Sequence, residues 1–529
     1  MLFIQYDRKA VLQRGLQNIR SFYRLFCIHG QEGSFYKVEK RKIMKVFSEK
    51  ATQVWVLVLT SLAACMISLD SQVVATALNA IRLHLGASIE ELEWTVNAYT
   101  LSFAVLLMTG AALGDRFGRR RLFVAGLVLF LLASAACALA PNAGWLIAAR
   151  ALQGCGSALV MPLALTLLST AFPPERRGRA LGIFTGVAGL ALLVGPVVGG
   201  AIAQGLAWQW IFWLNIPIGL IVIPLVLGRI QESFGPRTVL DIAGLVLITG
   251  AIFGLVWGLV RGNSAGWGSL EVVASLVAGV GLAVAFVVWE LRARVPMVPM
   301  RFFRSRAFSA GNTANFLLFA AIFGTLFFLA QFLQTAQGYG PLTAGLHLLP
   351  WTACLFVVAP ISGSLVNRVG ERPLIVGGLL LQAIGLAWIG LIARPDLAYA
   401  GFVVPLIIAG IGGSLAMPAA QNAVVSTVAP NEIGKASGTF SMLRQLGGAF
   451  GVAILAAVFA SIGSFRSAQA FSNGFSPAMS VAAALSLMGA IAGLALPGRH
   501  AMTSARSSMP SPASEQQETY GLPERSASL

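Results

Sequence analysis

Three ionisable residues lie inside long apolar stretches, where a charged side chain is costly: Asp70, Arg150 and His347. Asp70 is interpreted as the only carboxylate in the interior of the first six stretches. Burial in a low dielectric disfavours the charged form of a carboxyl group, and proton coupling requires a group that changes charge. The unperturbed pKa of a histidine side chain is near neutrality, so His347 also suits a proton carrier. Asp70 and His347 are therefore candidates for proton transfer, and Arg150 is a candidate functional charge.

Each of these residues also has a structural interpretation, and the sequence leaves both open. Asp70 can be a permanently paired acid with Arg150 as its partner, and Arg150 can instead be bonded to backbone carbonyls. A lone histidine in a membrane is often a hydrogen-bonded packing residue, which is the alternative for His347. Arg444 is a further arginine embedded in an apolar stretch.

A glycine- and arginine-rich segment, GAALGDRFGRRR, covers residues 110–121 at the end of the second apolar stretch. Gly110 and Gly114 permit helices to approach closely. Asp115 is placed to meet a helix N-terminus or an arginine across a domain interface, which would close one side of the protein. The other residues of this predicted gating loop are Arg116, Gly118, Arg119 and Arg120.

A second glycine-rich segment, GVAGLALLVGPVVGG, covers residues 186–200. Its residues Gly195, Pro196, Gly199 and Gly200 predict a kinked helix with a smooth face for close packing.

The composition places these segments in a membrane. Of the 529 residues, 57% are hydrophobic and 11% are charged, whereas a soluble domain carries about 25% charged residues. The apolar runs are continuous and approach the roughly 20 residues that a helix needs to span a bilayer. Because they do not alternate every second residue, they predict helices and not a barrel.

The runs bounded by charge, Gly or Pro predict fourteen membrane spans. They lie at about 53–78, 93–113, 121–140, 144–170, 179–203, 209–228, 240–260, 270–290, 308–333, 343–366, 373–392, 398–424, 436–462 and 477–497.

The charges between the spans predict the orientation. Loops on the side of the N-terminus carry most of the basic residues: Arg116, Arg119, Arg120, Arg121, Arg176, Arg177, Arg179, Arg229, Arg237, Arg292, Arg294, Arg301, Arg304, Arg306, Arg368, Arg372 and Lys435. The opposite loops hold only Arg82, Arg261, Arg394 and Arg466. The positive-inside rule therefore places both termini in the cytoplasm.

An internal repeat divides the chain into two halves. The segment SGSLVNRVGERP at 362–373 matches the gating loop, with Gly370 aligned to Gly118. We expect a basic, disordered extension over residues 1–50, six-span halves at 51–229 and 306–498 with two extra spans at 230–305, and a disordered cytoplasmic tail at 499–529. Residues 9–28 can also form a surface helix, and residues 1–43 can be an upstream extension, because a transporter-like start follows Met44.

These segments resemble the major facilitator superfamily, specifically its fourteen-span drug:proton antiporter family of EmrB/QacA type. The likeness runs from about Trp55 to Leu496. The gating loop is similar to the signature loop of the superfamily, SLDSQVVATALNAI to its first-helix motif, and LIAARALQGCGSAL to its fourth-helix motif. The segment at 186–200 resembles the fifth-helix motif of antiporters.

The resemblance implies a major facilitator fold, a role in proton transfer for Arg150, and efflux of substrate. Gln72, Ala75 and Asn79 depart from the usual first-helix motif. Polar and aromatic residues that are candidates to line a substrate cavity are Asn97, Tyr99, Asn315, Gln331, Gln334 and Trp351.

The leading hypothesis is a proton-coupled multidrug or small-molecule exporter in the cell membrane, working by alternating access. An importer or symporter of a small metabolite is the alternative, and a membrane sensor without a transport cycle is a third interpretation. Enzymes, ATP-driven pumps and nucleic-acid binders lack support, because the sequence has no catalytic or nucleotide-binding motif in a sensible place and its basic residues flank membrane spans. We expect no cofactor, metal or disulfide; the expected partners are small organic substrates, protons, the bilayer and, where a cell has an outer envelope, an adaptor protein.

Overall fold

The structure is a computed structural model that describes residues 32–235, 241–428 and 432–497, with side chains from residue 51 onward except at positions 174, 175, 178, 192, 193 and 367. Predictions for residues 1–31 and 499–529 lie outside the described residues. In chain order the helices are α1 (Glu32–Leu85), α2 (Ile89–Phe117), α3 (Arg119–Ala138), α4 (Ala143–Ala171), α5 (Pro174–Gly205), α6 (Trp210–Trp213), α7 (Asn215–Arg229), α8 (Ile242–Ala265), α9 (Leu270–Arg292), α10 (Arg306–Thr335), α11 (Pro341–His347), α12 (Leu349–Val369), α13 (Glu371–Ile392), α14 (Ala400–Val425), α15 (Ile433–Ile462) and α16 (Ala468–Leu494). A 3-10 helix at Met300–Arg304 precedes α10.

The described chain contains 14 helical segments long and apolar enough to cross a membrane, which confirms the predicted all-helical fold and span count. Helices α6 and α7 together form the sixth span, and α11 and α12 form the tenth. Helix α1 begins at Glu32, so residues 32–50 are helical and correct the expectation of disorder there. A hydrophobic run marks the part of a helix that lies in lipid, but the helix can continue into polar sequence because its backbone bonds are internal.

The spans alternate in direction. The face of the bundle on which α1 starts is called the near face, and the face that α1 reaches at Leu85 is called the far face. Far-face loops therefore follow α1, α3, α5, α8, α10, α13 and α15, and near-face loops follow the other spans that have a successor.

A capping residue and two glycines with positive φ mark where some of these helices begin and end. At the start of α2, the backbone N–H of Glu91 donates to Ser88 Oγ at 3.2 Å, and Ser88 N–H donates to Glu91 Oε2 at 2.8 Å. Gly118 separates α2 from α3 with φ of 109°, and Gly370 separates α12 from α13 with φ of 91°. Glycine adopts such positive values without strain, so both copies of the repeated segment use glycine for the same turn.

The repeat is also visible in helix packing. In the first half, Gly156 of α4 lies against the backbone carbonyl of Gly126 in α3; in the second half, Gly412 of α14 lies against that of Gly378 in α13. Residues 126 and 378 differ by 252 positions, the same spacing that relates the two turn glycines. The two halves therefore pack corresponding helices at corresponding positions.

Pairs of helices within and between the halves position the site. In the first half α2 packs on α4 and α1 on α5, while in the second half α13 packs on α14 and α10 on α15. Across the halves, α2 contacts α15 and α5 contacts α11. The extra helices α8 and α9 pack on each other, and α8 also contacts α2 and α15.

Candidate functional site

The carboxylate of Asp70 lies at the centre of a buried polar network in the first half. It accepts hydrogen bonds from Arg150 Nη1 at 2.6 Å, from Gln153 Nε2 at 2.8 Å and from Asn215 Nδ2 at 2.8 Å. The side chains of Asp70 and Arg150 are each 1% exposed. These bonds link α1 to α4 and α7, so the charge on Asp70 holds three helices together.

Arg150 is held by neighbours other than the carboxylate as well. Its Nε donates to the backbone carbonyl of Thr95 at 3.2 Å, and its Nη1 donates to Gln153 Oε1 at 2.7 Å. The guanidinium carbon lies 4.2 Å from the centre of the Tyr99 ring, and an aromatic face stabilises a desolvated cation. Arg150 therefore pairs with Asp70 and bonds to a backbone carbonyl at the same time.

Three members of the network were not predicted from the sequence: Ser134, Gln153 and Asn215. The hydroxyl of Ser134 accepts from Gln153 Nε2 at 2.9 Å and from Asn215 Nδ2 at 2.8 Å. Uncharged polar residues occur in most spans, and a sequence does not show which way each one faces. One usable signal exists, since Gln153 follows Arg150 by three positions and so shares its face of α4.

A second carboxylate lies inside the first half and corrects the expectation that Asp70 is alone there. Glu93 of α2 is 2% exposed, and its Oε2 has no hydrogen-bond partner among the described residues. The second apolar run starts at residue 93, so Glu93 lies at the edge of the predicted span. Helix α2 begins one turn earlier, at Ile89, and brings Glu93 inside.

The second half has no charged copy of the network at the positions that correspond. Helices α4 and α14 are related by 256 positions (412 minus 156), so Arg150 corresponds to Leu406. Helices α3 and α13 are related by 252 positions (378 minus 126), so Ser134 corresponds to Leu386. Leu406 is 1% and Leu386 0% exposed. The two halves share a backbone plan, but at these positions only the first half is polar.

The glycine-rich stretch of α5 lies between α1 and α11. Gly195 and Gly199 lie against α1 so closely that a side chain on either would overlap it. Gly200 lies against the backbone carbonyl of Pro341 in α11 in the same way. Pro196 lies inside α5, and its carbonyl faces α11. This stretch therefore brings the two halves together near the far face.

Hydrogen bonds reinforce this contact at the far face. Gln204 Oε1 at the end of α5 accepts from the backbone N–H of Leu342 at 3.1 Å. Gln334 Nε2 near the end of α10 donates to the backbone carbonyl of Thr76 in α1 at 2.9 Å. The two halves are in contact across the far face through both α5 and α1.

Toward the near face, α5 is less tightly enclosed. Among the described atoms, nothing lies within 4 Å of the position that a side-chain carbon would take on Gly182, Gly186 or Gly189, and the same holds for Gly363 of α12. The tight packing of the α5 glycines is therefore confined to the far-face end of the helix.

The near-face loop between α2 and α3 is covered by residues 231–235, which follow α7. The Glu232 carboxylate accepts from the backbone N–H of Arg120 at 2.9 Å and of Arg121 at 3.2 Å. These groups lie at the start of α3, where a negative charge is favoured. Arg120 Nη1 in turn donates to the carbonyl of Ile230 at 3.1 Å. Glu232 carries no signal in the sequence that predicts this position.

Asp115 has a different partner from the predicted ones. Its Oδ1 accepts from Arg119 Nε at 2.8 Å, and its backbone carbonyl accepts from Gly235 N–H at 3.0 Å. Within the described residues, Asp115 thus meets an arginine of its own loop and not one across the interface. The reason is that residues 231–235 pack against this side of the loop.

The other gating-loop residues have packing roles. Gly110 lies against the backbone of α4, and Gly114 lies against the side chain of Leu163 in that helix. The guanidinium of Arg116 lies 5.3 Å from the ring centre of its neighbour Phe117. The two glycines allow the close contact between α2 and α4 that positions Tyr99 beside the ion pair.

His347 lies in an aromatic stack at the end of α11. Its ring is parallel to that of Tyr399, with centroids 3.5 Å apart, and edge-on to that of Tyr339 at 4.5 Å. Tyr399 Oη donates to the backbone carbonyl of His347 at 3.0 Å. The Nδ1 atom has no hydrogen-bond partner among the described residues. None of the hydrogen bonds of the Asp70 network involves His347.

The six residues predicted to line a cavity are all buried, with exposed fractions from 0 to 8%. They are distributed along both halves: Asn97 and Tyr99 in α2, Asn315, Gln331 and Gln334 in α10, and Trp351 in α12. Tyr99 lies against Gly154, and Trp351 lies against Gly410 in the same way. The tyrosine and the tryptophan are 252 positions apart and the two glycines are 256 apart, so the two contacts occupy corresponding positions in the two halves.

Two of the three α10 residues bond to backbone close by. Asn315 Nδ2 donates to the carbonyl of Phe440 in α15 at 3.0 Å, and Gln331 Nε2 donates to that of Phe327 in its own helix at 2.8 Å. The structure therefore joins Tyr99 to the ion pair and Gln334 to the far-face contact.

In the described part of the chain, fourteen membrane-length helical segments, two related halves and a buried ion pair between helices define a multi-pass membrane protein with the architecture of a secondary transporter. The family model described as Major Facilitator Superfamily matches residues 60–452 and 312–515. The chain belongs to this superfamily, as the sequence resemblance predicted.

Curated relatives cover most of the chain. The tetracenomycin C resistance and export protein of Streptomyces glaucescens is 36% identical over 408 residues, which cover 77% of this chain and 76% of that protein. The cephamycin export protein CmcT of Amycolatopsis lactamdurans is 38% identical over 421 residues, covering 78% and 86%. The multidrug resistance protein Stp of Mycobacterium tuberculosis (strain CDC 1551 / Oshkosh) is 36% identical over 413 residues, covering 78% and 76%.

Solved structures agree on the fold. A POT family transporter in complex with a thioalcohol-conjugated peptide superposes with a TM-score of 0.63 at 17% identity, covering 82% of this chain and 94% of that one. A bacterial homologue of the human lysosomal transporter Spinster, in an inward-facing and unoccupied conformation, gives a TM-score of 0.60 at 15% identity, covering 84% and 98%. At these identities the likeness concerns the fold alone.

Proposed function

We propose that the protein exports small organic molecules from the cell in exchange for protons, by alternating access. Two of the relatives above are named as export proteins and one as a multidrug resistance protein, which supports efflux. The close packing of Gly195 and Gly199 on α1, and of Pro196 and Gly200 on α11 in the other half, supports a moving interface at α5. The protein is not an enzyme in this proposal, and the chemistry that it performs is the transfer of a proton.

The observation that carries the proposal is the buried pair of Asp70 and Arg150. A proton on Asp70 removes the charge that balances Arg150, and a buried charge left without its partner costs about 3–5 kcal/mol. That cost favours a different arrangement of α1 relative to α4 and α7, the helices that the carboxylate joins. Binding and release of the proton thereby become coupled to the conformation, and the membrane potential supplies about 2.3 kcal/mol per charge for each 100 mV.

In the transport cycle, one face of the bundle is open while the other is closed. The far-face contacts of Gln204 and Gln334 close the exit in the present conformation. Opening of the exit separates α5 from α11 and α1 from α10, while the gating loop, with Asp115, Arg119 and Arg120, closes the near face. The residues that join the halves at the far face are thus gating residues in this account.

We also propose that the near face is cytoplasmic, with both termini on that side of the inner or plasma membrane. The basic loops that follow α2, α4 and α9 support this orientation by the positive-inside rule. The far face then opens to the outside, and in a cell with an outer envelope the released compound passes to an adaptor protein.

His347 and the six buried residues complete the proposal. His347 relays protons at the far face, where its Nδ1 is unpaired among the described residues. Asn97, Tyr99, Asn315, Gln331, Gln334 and Trp351 contact the substrate when the halves separate. The halves at 51–229 and 306–498 move against each other, and the two spans at 230–305 move together with α2 and α15.

The test is uptake into inside-out membrane vesicles, where export from the cell appears as accumulation. A panel of amphipathic dyes of different charge is added to vesicles with an acidic interior. Exchange for protons predicts accumulation that stops when the gradient is collapsed by an ionophore. Accumulation only in right-side-out vesicles would identify an importer, and accumulation indifferent to the ionophore would contradict proton coupling.

A further inference from the structure

Three polar atoms near the start of α2 are unpaired inside the described protein: Oε2 of Glu93 and both amide atoms of Asn97. Glu93 is 2% exposed and Asn97 0%. A buried polar atom without a hydrogen bond is unfavourable, and a carboxylate oxygen is especially so. In a membrane span such groups indicate a functional site, and neither belongs to the Asp70 network.

The two side chains face the junction between the halves. They lie one helical turn apart and so share a face of α2, and the same stripe reaches Ala104 two turns further on. Ala104 packs in a buried cluster with Met442 and Ala449 of α15, in the other half. Tyr99, on another side of α2, is bonded to Ser157 inside the first half, where the hydroxyl oxygens are 2.9 Å apart.

The unpaired carboxylate oxygen distinguishes Glu93 from Asp70. Asp70 already accepts three hydrogen bonds, one of them from a guanidinium. The neighbouring Glu90 is occupied as well, since it pairs with Arg261 at 3.1 Å. Glu93 has no basic partner within the described residues, so its carboxyl group is available to a cation that enters between the halves.

We propose that Glu93 and Asn97 form a subsite that binds a protonated amine of the exported compound. An ammonium group donates one hydrogen bond to the Glu93 carboxylate and a second to Asn97 Oδ1, and the charge-assisted bond is the stronger of the two. Asn97 Nδ2 remains to donate to a carbonyl or ether oxygen on the same molecule. The inference rests on the proposed export function and names the chemical class of its substrates.

Binding to the purified full-length protein in lipid nanodiscs tests this directly. The probes are 1,5-diaminopentane carrying one dansyl group and the N-acetyl derivative of the same compound, which lacks the positive charge. The wild-type protein is expected to bind the amine roughly tenfold more tightly than the acetyl derivative, as expected for one charge-assisted hydrogen bond. Glu93→Gln is expected to lose this preference, and Glu93→Asp to keep part of it.

Glu91→Gln is the matched control, since it removes a half-exposed carboxylate two positions away and glutamine can still serve the cap at Ser88. If Glu93→Gln does not fold, Asn97→Leu takes its place, with a smaller expected loss. Equal binding of the two probes by the wild-type protein overturns the inference, as does an unchanged preference in the Glu93 and Asn97 variants. Proton-driven accumulation of dyes in vesicles would survive that result, whereas its absence would contradict the export function instead.

Discussion

The carboxylate of Asp70 and the guanidinium of Arg150 form a 2.6 Å ion pair in which each side chain is 1% exposed. The pair crosses from α1 to α4, and both partners have further hydrogen bonds that hold them in place. Removing one partner from a buried pair is costly, but replacing both by apolar residues is often neutral or stabilising. Comparing a single with a double substitution therefore separates the contribution of the pair to stability from its contribution to transport.

Asp70→Leu is expected to destabilise the protein by about 3–5 kcal/mol, because it leaves the Arg150 cation without a counter-charge. Leucine is the residue at the corresponding position of the second half, Leu406. Adding Arg150→Leu is therefore expected to restore most of the stability. Thermal unfolding of the purified variants in detergent measures both effects.

The double variant is nevertheless expected to have no proton-coupled transport, since it lacks the Asp70 carboxyl group through which the proton is exchanged. A double variant that is as unstable as Asp70→Leu would mean that the rest of the network depends on charge. One that is stable and still exchanges protons would remove Asp70 from the coupling mechanism.

Gly200→Ala is expected to weaken the closed far face, because its side chain would overlap the backbone carbonyl of Pro341. Transport should fall strongly, and the far-face end of α5 should become more reactive in labelling of single cysteines by a membrane-impermeant maleimide. Gly189→Ala, in the same glycine-rich segment, has open space around the added group and serves as the control. Equal effects of the two substitutions would contradict the assignment of this contact.

Glu232→Ala is expected to release the near-face loop, since its carboxylate binds the backbone N–H groups of Arg120 and Arg121 at the start of α3. Limited trypsin digestion at these arginines should be faster in the variant. Gln231→Ala changes an exposed neighbour and should digest at the wild-type rate. If both variants digest alike, Glu232 does not hold the loop.

His347→Phe is expected to keep the stack on Tyr399 but to lower the rate of proton release several-fold, because phenylalanine carries no proton. Tyr399→Phe, which preserves the ring and removes the 3.0 Å hydrogen bond to the His347 carbonyl, should release protons at nearly the wild-type rate. A fully active His347→Phe variant would make the histidine a packing residue, which is the alternative that the sequence leaves open.

Much of the fold follows from the sequence because lipid imposes a simple rule on it. Each span must be apolar over a bilayer width, so the runs around Asp70 and Arg150 could be recognised as helices from composition alone. The repeated glycine turn at Gly118 and Gly370 was also readable, because positive φ restricts the residue type.

The contacts of the site were harder to predict from the sequence. Asn215 and Asp70 are 145 positions apart, and their hydrogen bond depends on how α7 packs on α1 and α3. Glu232 follows α7 as one charge among several in a loop, and only the structure places it at the start of α3. The buried position of Glu93 does not follow from hydropathy either, since hydropathy marks where a run becomes apolar and not where a helix begins.

Protons are exchanged through Asp70 in the proposed cycle, and proton release from inside-out vesicles measures this exchange. A pH-gradient dye reports the gradient while cationic and neutral amphipathic compounds are added to vesicles with wild-type protein or with Asp70→Asn. A transported compound is expected to collapse the gradient with the wild-type protein and to have no effect with the variant. Equal collapse with a correctly folded Asp70→Asn protein would contradict the account.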